Sequence, residues 1–203
     1  LCPSDGDGDL IHMHPDCDGE VAKGNYAGFF GNVDMGEMVR WLKNSPYVPE
    51  DIDNPHRPAP FTMNRAVKFG KIADGTSNTM VIGEILRGLS GEQRDYRGVH
   101  WYDHVATSQI HTAFEPNSQK PDFVFSLWCT AALNQPDNNL PCRPGSPVPT
   151  EVNNNVAGAR SRHPGGVHVG MADGSAQFIQ EAVELNVWQA LGSINWGEVV
   201  ELP

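Results

Sequence analysis

RHPGGVHVGMADGSAQFI, residues 162–179, is the most strongly patterned stretch of the chain. Val167, Val169 and Met171 alternate with His168 and Gly170, and Ala176 and Phe178 alternate with Gln177 and Ile179. Between the two runs stands Asp173-Gly174. A period of two on either side of Asp-Gly predicts a β-hairpin closed by a type I′ turn, with both central residues at positive φ. Ahead of the first strand, HPGG (163–166) reads as a turn in which Gly165 and Gly166 reach backbone conformations closed to other residues. His163 then reads as a hydrogen-bonding residue that ties this turn to a neighbour, with a catalytic or ligand role as the competing reading.

Working outward, AVELNVWQALGSI (182–194) places Val183, Val187, Leu191 and Ile194 on one stripe with Trp188 nearby, which predicts a short helix after the hairpin. Upstream, Asp74-Gly75 predicts a tight turn, and NTMVIGEIL (78–86) a strand or short apolar segment following it. GVHWYDHV (98–105) and DFVFSLWC (122–129) are aromatic and β-branched, and read as strands. MGEMVRWLKN, carrying Met35, Met38, Val39 and Leu42, predicts an amphipathic helix that stops before Pro46. Residues 1–34, 45–60 and 130–155 are polar, proline-rich or asparagine-rich and read as long loops. The expectation is one α+β domain over residues 1–203, built on an antiparallel sheet with few short helices and long disulfide-clipped loops.

Charge narrows the partners. A net charge of −11 with no basic stretch argues against nucleic acid and against an anionic membrane surface. With 21 glycines and 16 prolines, short elements and many turns are expected. No run approaches the roughly 18 apolar residues of a membrane span. The chain opens on Leu1-Cys2-Pro3 without a signal peptide, which reads as the start of a mature, clipped or truncated product with its targeting segment upstream.

Cys2, Cys17, Cys129 and Cys142 fall into two local pairs without CxxC spacing. Locality favours Cys2–Cys17 and Cys129–Cys142 disulfides, and with them an extracytoplasmic location (periplasm, cell surface or secreted); four buried thiols are the other reading.

Several groupings carry potential chemistry. Asp5, Asp7 and Asp9 in DGDGD stand at alternating positions, as carboxylates do in calcium loops, with Asp16 or Asp18 to complete the shell. Leu10 and Asp16 occupy the places where an EF-hand needs Gly and Glu, so the choice lies between a calcium loop of another type and a solvated acidic loop. His12 and His14 share a face if extended, and His100, Asp103, His104 and His111 offer nitrogen and oxygen ligands, yet an HExxH-like helix is lacking. Ser77, His163 and Asp173 make a hydrolytic triad only on paper. Glu84, inside an apolar run, needs a partner such as Arg162. Trp101, Tyr102, Trp128 and Trp196 read as core aromatics before they read as a sugar platform.

His163, nine residues and then Asp173-Gly174 resemble the H-X9-DG signature of the prepilin-type processing-associated family. Its members are surface-associated proteins of unknown function, abundant in planctomycete-type bacteria. CPSD (2–5), GNYAG (24–28), IADGTSNTMVIGEI (72–85) and VWQALGSINWGEVV (187–200) resemble further segments of that family, in order along the chain. The resemblance implies a pilin-like head with an antiparallel sheet, carried in family members behind a prepilin leader and a long apolar helix that this chain lacks. It implies self-association, or assembly with other pilin-like surface subunits, with the membrane reached only through that missing helix. No catalytic residue is carried over by it.

Overall fold

A computed structural model describes residues 2–6, 11–14, 19–32, 58–62, 66–89, 95–102, 104–125, 128–144 and 155–195. Its centre is a five-stranded sheet. The members are β3 (Tyr26–Phe29), β4 (Met80–Glu84), β5 (Gln109–Ile110), β8 (Gly166–Met171) and β9 (Ala176–Gln180), in the order β5-β3-β4-β8-β9. The β3–β4, β4–β8 and β8–β9 pairs are antiparallel, and only β5 runs parallel to its neighbour β3. A small hairpin of β1 (Ile11–His14) and β2 (Gly19–Ala22) stands apart, and β6 (Asp122–Val124) pairs in parallel with β7 (Cys142–Pro144). The described residues contain one α-helix, α1 (Leu185–Leu191). The fold is α+β, as the sequence predicts.

Alternation decides the buried face of the central strand. Val167, Val169 and Met171 of β8 are 0–2% exposed and pack with Phe29, Met80, Ile110 and Ile179. Helix α1 lays Trp188 and Leu191 on this layer, and the Trp188 ring meets Phe29 edge-on at 5.5 Å. Full burial of side chains of this size contributes about 1.5–3 kcal/mol each.

The β8–β9 turn differs from the predicted one. Gly174 has φ +88°, but Asp173 is not in the left-handed region. The Gly174 N–H donates to Met171 O (3.0 Å) and the Met171 N–H to Ser175 O (2.8 Å). These bonds define a three-residue loop, a type I turn followed by glycine in a bulge. Asp173 instead accepts from the Ser175 N–H (2.9 Å) and hydroxyl (2.7 Å), which favours the longer loop and holds its carboxyl below the usual range. At the other end of β8, a Cβ on Gly166 would stand 2.2 Å from Ile179 O, so glycine lets the two strands close there.

A second core has far less regular structure. Tyr96, Val99, Val105, Val124, Trp128 and Ala157 pack around the Cys129–Cys142 disulfide, which bears out that pairing. The strand expected at 98–105 does not form. Gly98 has φ +87°, and Val99 N–H donates back to Tyr96 O (2.9 Å), so the segment turns and only Val99 and Val105 make isolated bridges. The strand expected at 122–129 shortens to β6, and the chain turns back where Trp128 N–H meets Phe125 O (2.8 Å). The helix predicted over 35–44, nearly all of the 45–60 loop and Trp196 lie outside the described residues.

Candidate functional site

Where β4 ends, four segments meet: Cys2–Asp5, Glu84 of β4, the 161–166 turn and His168 of β8. Glu84 sits at the end of an apolar strand and is 1% exposed. Burying a lone carboxylate is costly, so the fold must supply partners. His168 gives its backbone N–H to Glu84 Oε2 (2.7 Å) and brings Nδ1 to 3.4 Å from the same oxygen. His163 Nε2 stands 3.2 Å from Oε1. The expected Glu84–Arg162 pair is therefore replaced by Glu84 with two histidines.

His163 is oriented from behind. Its backbone N–H donates to Ser161 Oγ (3.0 Å), and that hydroxyl donates to Gly166 O (2.7 Å). The imidazole packs edge-on to His168 with ring centres 4.5 Å apart. Besides Glu84, its Nε2 faces Cys2 Sγ at 3.2 Å and Ser4 Oγ at 3.3 Å. One thiol, one hydroxyl and one carboxylate thus converge on a single ring nitrogen. A thiol–imidazole–carboxylate relay would need the acid on Nδ1, whereas here thiol and acid share Nε2. The donor set is one that can bind a cation: Cys2, Glu84 and His163 each offer a ligand atom, all within 4.8 Å of one another.

Beside this knot lies a second one, built on Asp5. Its Oδ2 accepts from Asn25 Nδ2 (2.6 Å) and Arg87 Nε (2.9 Å), and its Oδ1 from Arg162 Nε (3.2 Å). The Asn25 Oδ1 in turn accepts the Cys2 N–H at 3.1 Å. Two guanidinium groups and an amide engage the Asp5 carboxylate, which places it in a buried ion-pair network.

The chain belongs to the family described as protein of unknown function DUF1559. The family model matches residues 1–186, most of the chain. No curated protein and no solved structure matches it. Cys2, Ser4, Asp5, Glu84, His163 and His168 all fall inside the DUF1559 match, whereas the 187–200 segment lies beyond it.

The other sequence-picked residues distribute as follows. Cys2 is a free, buried thiol whose sulfur faces Ser4 and His163, and Cys17, its expected disulfide partner, lies outside the described residues. Asp7, Asp9, Asp16, Asp18 and Asp103 also lie outside them. Asp74-Gly75 makes a turn, with Gly75 at φ +93° and its carbonyl accepting from Asn78 N–H (3.1 Å) and Thr79 Oγ1 (3.1 Å). Gly165 has φ +82°. Asp173 and His163 stand at opposite ends of β8, so the paper triad does not assemble. His100 lies against Gly24, His104 stacks in the Trp128 cluster and His111 is buried next to Ala157, three separate places. Trp128 is a core ring, as expected, but Trp101 is 82% exposed. Sequence reasoning missed the roles of Ser4, Asn25 and His168; His163, read as tying the HPGG turn to a neighbour, and Glu84, a carboxylate in an apolar run that demands a partner, were the visible signals.

Proposed function

We propose that this DUF1559 chain is the extracytoplasmic head of a pilin-like or pseudopilin-like structural subunit, working by assembly or surface contact rather than by chemistry. The observation that supports this reading is how the segments of the H-X9-DG resemblance are used. CPSD, the end of MVIGE and HPGG meet in one polar knot, while DGT and DGS close turns of the same sheet. Glu84 holds the His168 N–H, Ser161 the His163 N–H and Asp173 the Ser175 N–H, so side chains in and beside these segments fix backbone in place. Exposed Trp101 (82%) and Phe69 (70%) offer apolar contact points for a second copy or another surface subunit. In this reading calcium is the expected cation of the acidic loop, of which Asp5 is engaged by Arg87 and Arg162 while Asp7, Asp9, Asp16 and Asp18 lie outside the described residues.

Exposed Trp101 also favours a second reading, a cell-surface module that binds carbohydrate as a monomer. Electron microscopy of the protein isolated from its native surface, with its N-terminus read by mass spectrometry, separates the two. Filaments or tubes of regular repeat support the structural subunit. Discrete particles that bind glycan saturably would overturn it.

A further inference from the structure

We infer that Cys2, Glu84 and His163 form a binding site for a divalent transition metal ion of the zinc class, which fastens the Cys2–Asp5 segment to the sheet. The argument starts from the excess of partners at one atom. His163 Nε2 carries either one proton or one lone pair, yet Cys2 Sγ, Ser4 Oγ and Glu84 Oε1 surround it at 3.2, 3.3 and 3.2 Å. One proton serves only one of them. A cation bound between nitrogen, sulfur and oxygen serves all the ligand atoms together.

The spacing suits such an ion. Tetrahedral zinc, with bonds of about 2.3 Å to sulfur and about 2.0–2.2 Å to nitrogen and oxygen, sets its ligands about 3.3–3.6 Å apart. The sulfur–nitrogen and nitrogen–oxygen separations here are both 3.2 Å. The supporting shell is also in place. His168 N–H holds Glu84 Oε2 at 2.7 Å, which turns Oε1 toward His163. Ser4 Oγ lies 2.9 Å from Cys2 Sγ, placed to donate to a thiolate. The His163 side chain is 27% exposed while Glu84 is 1% exposed, so the three ligand atoms lie just beneath the surface.

Ligand chemistry selects the metal class. A thiolate, an imidazole and a carboxylate match zinc and its neighbours, whereas calcium takes six to eight oxygen ligands. Thiolate and carboxylate together carry two negative charges, which balance a divalent ion with His163 neutral. Ligation also gives a buried thiol protection from oxidants.

The test uses the full 203-residue chain with the Cys129–Cys142 disulfide intact, stripped of metal and titrated with zinc alone and then with cobalt. The expected result is one equivalent of zinc unaffected by millimolar calcium, and a thiolate-to-cobalt charge-transfer band. Cys2→Ser should abolish that band, and Cys2→Ser or His163→Gln should weaken zinc binding at least about tenfold. If either variant fails to fold, the wild-type protein still reports: zinc should slow alkylation of Cys2, followed by peptide mapping, at least about tenfold. Absence of zinc binding by the wild-type chain with its Cys129–Cys142 disulfide intact would overturn the inference. So would binding that leaves Cys2 alkylation and the Cys2→Ser affinity unchanged, or a Cys2–Cys17 disulfide in the native protein.

Discussion

Around Trp188 the chain is regular: five strands satisfy one another's backbone over an apolar layer that includes Phe29, Met80, Ile110, Val167, Val169 and Leu191. Around Trp128 the only ladder among the described residues is the short β6–β7 pair, and charged side chains are buried among the loops. Lys23 Nζ donates to the carbonyls of Gly88 (3.0 Å), Leu89 (2.8 Å) and Asp95 (2.6 Å). Arg97 pairs with Asp95 through two bonds and reaches Leu133 O (2.8 Å) and Leu140 O (3.0 Å). Arg160 pairs with Asp122 in the same way and reaches Ser118 O (2.6 Å) and Lys120 O (2.8 Å). All these carbonyls lie outside the strands. A buried loop must pair its backbone groups somehow, and long cationic side chains do here what neighbouring strands do in the sheet.

Breaking one partner in the loop core should have the largest effect. Arg97→Met leaves the buried Asp95 carboxylate without its guanidinium partner, held only by the Leu89 and Arg97 backbone N–H groups, takes a donor from Leu133 O and Leu140 O, and should cost about 3–5 kcal/mol in denaturant unfolding. Replacing Asp95 and Arg97 together by apolar residues should cost less than Arg97→Met alone, because no lone charge remains. Next comes the covalent tie. Cys129→Ala with Cys142→Ala opens a link of sequence separation 13, and the loss should be about 3 kcal/mol.

The loop core should also have its own pH dependence. Burial lowers the Lys23 pKa from 10.5 to about 8, partly offset by Asp95 and reinforced by Arg97 and Arg87. The folded value lies below the unfolded one, so across this window the unfolded chain binds more protons and rising pH favours the folded state. Wild type should gain at most about 3 kcal/mol from this group between those limits, and Lys23→Gln should lose the gain. Urea midpoints of both proteins across the window measure it. The smallest effect belongs to the sheet. Gly174→Ala puts a Cβ at φ +88° in open space, and should cost about 1 kcal/mol in thermal unfolding.

The same contrast explains what was legible in the sequence. Val167, Val169 and Met171 announce β8 because a half-buried strand repeats every two residues, and Asp173-Gly174 announces the reversal. The turn type was not legible, since it depends on which residues remain paired, and Ser175 bonding to Asp173 tips that balance. In the loop core aromatic composition suggested a strand at 98–105, but positive φ at Gly98 turns the chain. The knot was hidden for another reason. Its contacts join Cys2 to His163 across 161 positions and Glu84 to His163 across 79, and no local pattern specifies such partners. Glu84 declared that a partner was needed without saying which.

Native-state hydrogen exchange, with the disulfide intact and then reduced, tests most directly whether the two cores are held by different means. Phe123 and Val156 exchange backbone hydrogen bonds beside Cys142 (2.8 and 3.0 Å), whereas Val167 and Val169 lie in the sheet. Reduction should cut protection of the Phe123 and Val156 amides by about a hundredfold and leave Val167 and Val169 nearly unchanged. An equal loss at all four amides would contradict the account, and would make the molecule a single cooperative unit secured by its disulfide.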